Sequence, residues 1–159
     1  MEVKNQYDVH IVSFNLKNSD NQEVYKYVIN EDTSEEVKLS CVVYLDSSFK
    51  DKTIDYSTYY FYLSVRSINP NNDSPIQYQV LRLDKSKLSE SQFVKLNFSF
   101  LAPLQANSKD YSIYSDQLVG IQLSCSTASI HNPDFYSELD KGTFLDTAIP
   151  VEVINNDGK

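Results

Sequence analysis

Strict alternation of apolar and polar side chains is the feature that most limits the folds available to this chain. In the stretch VKLSCVVYL, every second residue from Val37 to Leu45 is apolar. We call the odd-numbered and even-numbered positions of such a stretch its two parities, and Lys38 and Ser40 have the other, more polar parity. Successive side chains of a β-strand point to opposite faces, so this stretch predicts a strand with one face buried. The same pattern recurs along most of the chain, and the spacing of an amphipathic helix is scarce. The sequence therefore predicts a mainly β protein.

Eight segments carry this strand pattern, and turns rich in Asn, Asp and Ser separate them. They are residues 7–16, 24–29, 36–46, 58–69, 76–84, 93–102, 118–130 and 144–154. Several have one clearly apolar face, which favours two antiparallel sheets packed face to face, with an open barrel as the alternative. The parity slips between Ile11 and Val12, which predicts a bulge or a strand covered on both sides.

One short helix is predicted over residues 133–141. Asn132 can cap it, Pro133 suits its first position, and Gly142 follows its end. Pro150 falls in the last strand segment and has no N–H to donate to a neighbouring strand. That strand is therefore expected at a sheet edge, or it begins after the proline.

The length of 159 residues and the apolar content of 41% predict a single β domain over residues 1–159. The 22 acidic and 14 basic residues give a net charge of −8, which repels phosphate backbones and anionic lipids. Nucleic acid and membrane are therefore not expected as partners. The N-terminus has no basic start followed by a long apolar run, which predicts a cytoplasmic protein as written. A secreted chain whose signal peptide had been removed would look the same.

Both cysteines, Cys41 and Cys125, have the apolar parity of their strands. A thiol buried among apolar side chains has a raised pKa and is a poor nucleophile. The parity favours two inert buried thiols, and a disulfide between facing sheets is the alternative.

Few residues are available for catalysis. His10 and His131 are the two histidines, and neither has the spacing of a metal site. No Gly-x-Ser-x-Gly motif is present, and the chain has only three glycines with which to build a phosphate-binding loop. The sequence therefore predicts no enzyme, no metal and no cofactor.

Tyrosines provide the main binding signal. Tyr60 and Tyr62 have the parity opposite to Phe61 and share it with Arg66, while Tyr44 lies on the polar parity of an earlier strand. If the two strands pair, these rings form an exposed aromatic patch. Tyr offers a large rigid contact surface with a polar tip, which suits a protein partner or a glycan. The alternative is that another segment covers the rings or that they support the sheet. A homo-oligomer also remains open.

Two fragments resemble the SecB family of export chaperones: VSFNL, which starts at Val12, and KGTFLDTAIPV, which starts at Lys141. The resemblance implies an acidic, cytosolic, tetrameric holdase that binds unfolded chains through exposed apolar grooves. The chain departs from the family at LVGIQLSCSTASI, where the family has a long helix. The sequence thus favours a non-catalytic binding or protein-interaction module, with a holdase second and a carbohydrate-active or carbohydrate-binding β domain third.

Overall fold

The computed structural model describes residues 3–30, 35–67, 75–88, 92–102, 118–127 and 135–154. These residues form nine strands, two short α-helices and a 3₁₀ turn at Lys85–Lys87. The strands are β1 (Val9–Lys17), β2 (Glu23–Val24), β3 (Tyr27–Asn30), β4 (Glu35–Leu45), β5 (Thr58–Ser67), β6 (Pro75–Asp84), β7 (Phe93–Ala102), β8 (Leu118–Ser126) and β9 (Thr143–Ile154). The helices are α1 (Ser47–Lys52) and α2 (Phe135–Lys141).

The strands form two sheets, and the predicted β-sandwich is confirmed. The four-stranded sheet has the order β2-β1-β4-β7, and all its neighbours are antiparallel. The five-stranded sheet has the order β3-β9-β8-β5-β6. Four of its strands pair antiparallel, and β3 joins β9 in parallel.

The core lies between the two sheets and contains the apolar parity of β4, β5, β7 and β8. Its innermost side chains, each no more than 3% exposed, are Leu39, Cys41, Val43, Leu45, Tyr59, Phe61, Leu63, Val65, Leu96, Phe98, Ile121, Leu123 and Cys125. The faces predicted to point inward are therefore confirmed for the described side chains. Burial of this apolar surface is the main favourable contribution to folding.

The irregularity predicted in β1 is also present. The register between β1 and β4 shifts between Ile11 and Ser13, so Val12 is the extra residue of a bulge. Pro150 lies within β9, which begins at Thr143 and lies between β3 and β8 in the sheet order, so both alternatives predicted for this strand are wrong. Strand β8 pairs with β9 up to Pro150, and β3 pairs with it from Val151 onward. A change of partner is a position where a residue without an N–H is tolerated.

The predicted helix corresponds to α2, which ends at Lys141 and is followed by Gly142. Asn132 and Pro133, its predicted first residues, lie outside the described residues. The long helix implied by the SecB resemblance is replaced by a strand, Leu118–Ser126, and by this seven-residue helix.

Helix α1 was not predicted, and a short polar run, SSFKDK, forms it. The side chain of Asp46 caps its start by accepting the N–H of Phe49 at 3.1 Å. Phe49 is fully buried, and its ring centroid lies 4.9 Å from that of Tyr59. One cap and one buried ring therefore fix this helix over the end of the sandwich.

A side chain from the five-stranded sheet protects the outer edge of β7. Gln79 of β6 donates to the carbonyl oxygen of Ser99 and accepts the Ser99 N–H at 3.3 Å. Its amide thus replaces one rung of a strand ladder, which reduces the tendency of an edge strand to pair with another chain. None of the described helices is long and apolar enough to cross a membrane.

Candidate functional site

The tyrosines predicted to form one patch lie on two different sheets. Tyr44 is on β4 of the four-stranded sheet, whereas Tyr60 and Tyr62 are on β5 of the other. Because β4 and β5 do not pair, the condition for a shared surface is not met. Arg66 is also on β5, and its side chain lies outside the described residues.

Tyr62 contradicts the prediction of an exposed tyrosine face. Its side chain is 3% exposed and packs against Leu139 of α2, with Tyr60 partly buried beside them. The ring points away from the main core, as its parity predicts, but α2 covers it. The alternative given by the sequence, that another segment covers this face, is therefore correct for Tyr62.

A buried polar network connects α2 to the sheet beneath it. The Thr143 hydroxyl donates to the carbonyl oxygen of Leu139 at 2.8 Å and lies 3.1 Å from the Ser124 hydroxyl. The Gln122 amide donates to Thr143 at 2.5 Å and to Asp140 at 3.1 Å. These bonds hold the helix against β8 and β9, so the outward face of the five-stranded sheet is closed at this point.

The outward face of the four-stranded sheet has a different character, and we call it the open face. All its side chains are exposed or half-buried. They are His10, Ser13, Asn15 and Lys17 on β1, Glu36, Lys38, Ser40, Val42 and Tyr44 on β4, and Phe93, Lys95, Asn97 and Ser99 on β7. This face is the candidate site because it displays aromatic, amide, hydroxyl and ammonium groups together.

An aromatic row crosses one end of the open face. The strand register places Tyr44 between His10 and Phe93. The Tyr44 and Phe93 ring centroids are 5.0 Å apart, and those of Tyr44 and His10 are 6.4 Å apart. Phe93 is 54% exposed. An exposed Phe supported by a Tyr presents an apolar platform to a ligand.

Beyond a row of Ser13, Val42 and Lys95, the rest of the face is polar. Asn15, Ser40 and Asn97 form one row, and the Ser40 hydroxyl donates to the Asn97 side-chain oxygen at 2.9 Å. The adjoining row contains Lys17, Lys38 and Ser99. A hollow of about 310 Å³ opens here, and its lining includes Lys17, Asn21, Glu36, Lys38, Asn97 and Ser99.

Helix α1 adjoins the aromatic end of the open face. A His10 ring nitrogen lies 2.9 Å from an oxygen of Asp46, the residue that caps α1. The Phe49 N–H and the His10 ring lower the pKa of Asp46. On the same side of the molecule, bonds from Lys52 and Ser48 lower the pKa of Asp8. Both carboxyl groups are therefore stabilised in their charged form.

Both thiols are free and buried, as their parity predicts. Burial raises the pKa of Cys41 to about 11, and it raises the pKa of Cys125 still further. Neither thiol is available as a nucleophile at neutral pH. The described residues contain no group of three His, Cys, Asp or Glu side chains placed to hold a metal ion.

Sequence reasoning missed Phe93 and the two lysines of the hollow. Phe93 has the same parity as Lys95 and Asn97, which identifies it as an outward aromatic residue at the start of its strand. That signal was available in the sequence. The pairing of Lys17 with Lys38 depends on the register after the bulge, and the sequence does not specify that register.

No protein-family model matches the sequence, and no curated protein matches it either. Among solved structures, an immunoglobulin-like protein from Pseudomonas aeruginosa matches with 7% identity, covering 92% of this chain and 98% of that chain, at a TM-score of 0.40. The CARDB domain of a Pyrococcus furiosus protein, in complex with di-metal ions, matches with 8% identity, covering 92% and 88%, at 0.38. A β-glucosidase from Listeria innocua, in complex with glucose, matches with 11% identity at 0.36; the match covers 88% of this chain and 16% of that chain. Likenesses at this level carry no argument about function.

Proposed function

We propose that this chain is a non-catalytic binding domain and that its ligand is a glycan chain lying along the open face. The observation that carries the proposal is the exposed Phe93 ring packed against Tyr44, with rows of amide and hydroxyl groups farther along the same face. Sugar rings present C–H groups that pack on aromatic faces and hydroxyl groups that bond to Asn and Ser side chains. Both kinds of partner lie on this face, separated by the row of Ser13, Val42 and Lys95.

The size of the face favours a linear ligand over a globular protein. Three strands about 4.8 Å apart and the six residue steps from Lys38 to Tyr44 give a flat area of about 300 Å². A stable protein interface buries about 800 Å² of accessible surface on each partner, so a globular protein would also need contacts beyond the open face. The backbone N–H and C=O groups of β4 pair with β1 on one side and with β7 on the other. A ligand on this face is therefore bound by side chains. The protein partner favoured by the sequence remains a prediction.

The holdase alternative requires exposed apolar grooves. Among the described residues, the large exposed apolar side chains are spread over different elements. Ile11 and Val12 are on β1, Tyr25 lies between β2 and β3, Ile54 and Tyr56 follow α1, Val80 is on β6, and Phe93 is on β7. No observation favours a holdase over a domain that binds a folded or soluble ligand.

A glycan array probed with the purified protein tests the proposal, followed by calorimetric titration of the best oligosaccharide. Phe93→Ala is expected to weaken binding about 30-fold, because an aromatic anchor of this kind contributes about 2 kcal/mol. Tyr56→Ala is the matched control, since Tyr56 is 46% exposed and lies off the open face. Binding to no array glycan, or equal loss in both variants, would refute the proposal.

A further inference from the structure

Two lysines face each other at the hollow of the open face. Lys17 of β1 lies directly opposite Lys38 of β4, and both side chains are half-buried on the same side of the sheet. Like charges placed opposite each other destabilise a strand pair. The Lys38 ammonium donates to the Asn21 side-chain oxygen at 2.9 Å, which helps to hold it over the hollow. Two lysine side chains that line one hollow form a favourable position for an anion.

The acidic neighbours of this pair do not neutralise it directly. Glu23 is opposite Lys17 on β2, and Glu36 lines the hollow. Within the described part of the chain, the close contacts between basic and acidic side chains are those of His10 with Asp46, Lys52 with Asp8, Arg82 with Asp84, and Lys141 with Glu138. Neither Lys17 nor Lys38 is among them. Lys38 uses one of its three N–H groups on Asn21, which leaves two for a ligand.

The same neighbours limit how much negative charge a ligand can carry. Glu23 and Glu36 flank the two lysines, and the net charge of the whole chain is −8. A polyanion such as nucleic acid or a heavily sulfated chain would be repelled along most of its length. A single carboxylate between the two ammonium groups would gain the local attraction and avoid most of that repulsion.

We infer that the hollow binds the carboxylate of one acidic sugar, a uronic or sialic acid, within an otherwise neutral glycan. This inference rests on the proposed function. Lys17 and Lys38 hold the carboxylate, and Asn97, whose side-chain oxygen accepts from Ser40, has amide N–H groups to donate to the same sugar. The aromatic row lies six residues along β4, about 20 Å away. A chain of a few sugars therefore reaches from the hollow to Tyr44 and Phe93.

The test is titration with oligosaccharides that each carry one uronic or sialic acid, compared with their methyl esters. Esterification removes the charge and keeps the rest of the sugar. The wild-type protein is expected to bind the acid at least tenfold more tightly, and the preference is expected to shrink as ionic strength rises from 0.01 M to 0.5 M, over which screening becomes strong.

Three variants locate the effect. Lys17→Gln and Lys38→Gln are each expected to lower the preference for the acid, and together to abolish it. Lys95→Gln is the control, because Lys95 is on the same face two positions from Asn97 along β7 and is not part of the hollow lining. The double variant should fold at least as stably as the wild type, since it removes a like-charge pair.

The outcomes separate the two proposals. Equal binding of acid and ester, together with weaker binding by Phe93→Ala, overturns the acidic-sugar inference and leaves the glycan-binding proposal standing. If the protein binds neither the acids nor the esters, and no glycan of the array, both proposals are overturned. Tighter binding of a glutamate-rich peptide than of any acidic sugar overturns the assignment to glycans and identifies an acidic protein segment as the ligand.

Discussion

The two outward faces of the sandwich have similar sequence patterns and opposite environments. On β4, the outward residues Ser40 and Tyr44 are half-buried on a face of exposed and half-buried side chains. On β5 and β8, the outward residues Ser64 and Ser124 are fully buried. Helix α2 accounts for part of the difference, because it packs on Tyr62 and bonds to Thr143. Outward parity therefore identifies the face of the sheet and leaves its exposure undetermined.

Closing a face of small polar residues has an energetic consequence. The Thr143 network satisfies several groups, but the Ser64 hydroxyl and the Gln122 side-chain oxygen are buried without a hydrogen-bond partner. An unsatisfied buried group of this kind costs about 1–3 kcal/mol. The apolar contacts of Leu139 and Tyr62 offset such costs on this face. On the open face, the side-chain oxygen of Asn15 is likewise buried without a hydrogen-bond partner.

The largest expected effect contrasts the two tyrosines. Tyr62→Ala should lower the free energy of unfolding by about 3–5 kcal/mol, because it leaves a cavity beneath α2. Tyr44→Ala should lower it by about 1 kcal/mol or less, since Tyr44 is only half-buried at a solvent-facing sheet surface. Urea denaturation of both variants measures the contrast. Equal destabilisation would mean that the two faces do not differ in the way their burial indicates.

Much of the fold could be predicted from the sequence, because inward parity is a local property. Val37 to Leu45 shows its buried face within nine residues, and the slip at Ile11 and Val12 shows its bulge. The packing of α2 onto Tyr62 is a long-range contact, and no local pattern reports it. Helix α1 was missed because six mostly polar residues have no helical period, and its only local signal is the cap at Asp46.

The candidate site was predicted only in part for the same reason. Tyr44 is on the open face, as its parity indicates, but its neighbours there come from β1 and β7 rather than from β5. Parity specifies which residues of one strand share a face. Strand order specifies which strands share a sheet, and it depends on the whole core.

The second prediction concerns the outward face of the five-stranded sheet, which α2 covers and which we call the covered face. It tests how closely the backbones pack there. A side chain at Gly142 would bring its Cβ to 1.9 Å from the carbonyl oxygen of Cys125, and the Cys125 N–H donates to the Gly142 carbonyl at 2.9 Å. Gly142→Ala should therefore force the backbones apart and cost about 1–3 kcal/mol. Thermal unfolding provides the measurement. Thr53→Ser, a small change at the end of α1 beside the open face, should lower the free energy of unfolding by less. A Gly142→Ala protein as stable as the wild type would contradict the close approach of the two backbones.

The third prediction compares the thiols beneath the two faces. Native protein should show almost no modification by a thiol reagent at pH 8, and two thiols should react after denaturation without reductant. Because burial raises the pKa of Cys41 to about 11 and that of Cys125 further, slow native labelling should reach Cys41 first. Mass spectrometry of partly labelled protein gives the order. Faster labelling of Cys125 would indicate that the five-stranded sheet, beneath the covered face, opens more readily than the four-stranded sheet, beneath the open face.

The smallest expected effect concerns acid at the aromatic end of the open face. The pKa of Asp46 is lowered from its ordinary value of 3.8, first by the Phe49 N–H and then by His10. A carboxyl group with a lowered pKa in the folded protein contributes stability that is present above its ordinary pKa and is lost as pH falls through the folded value. The melting temperature should therefore decline below about pH 4.

Asp46→Asn keeps an oxygen that can cap α1 but carries no charge, so its melting temperature should decline less steeply over the same range. Asp8 keeps part of the decline in both proteins, because Lys52 and Ser48 lower its pKa independently. Identical slopes for wild type and Asp46→Asn would show that the charge of Asp46, in its contacts with the Phe49 N–H and His10, does not stabilise this end of the face.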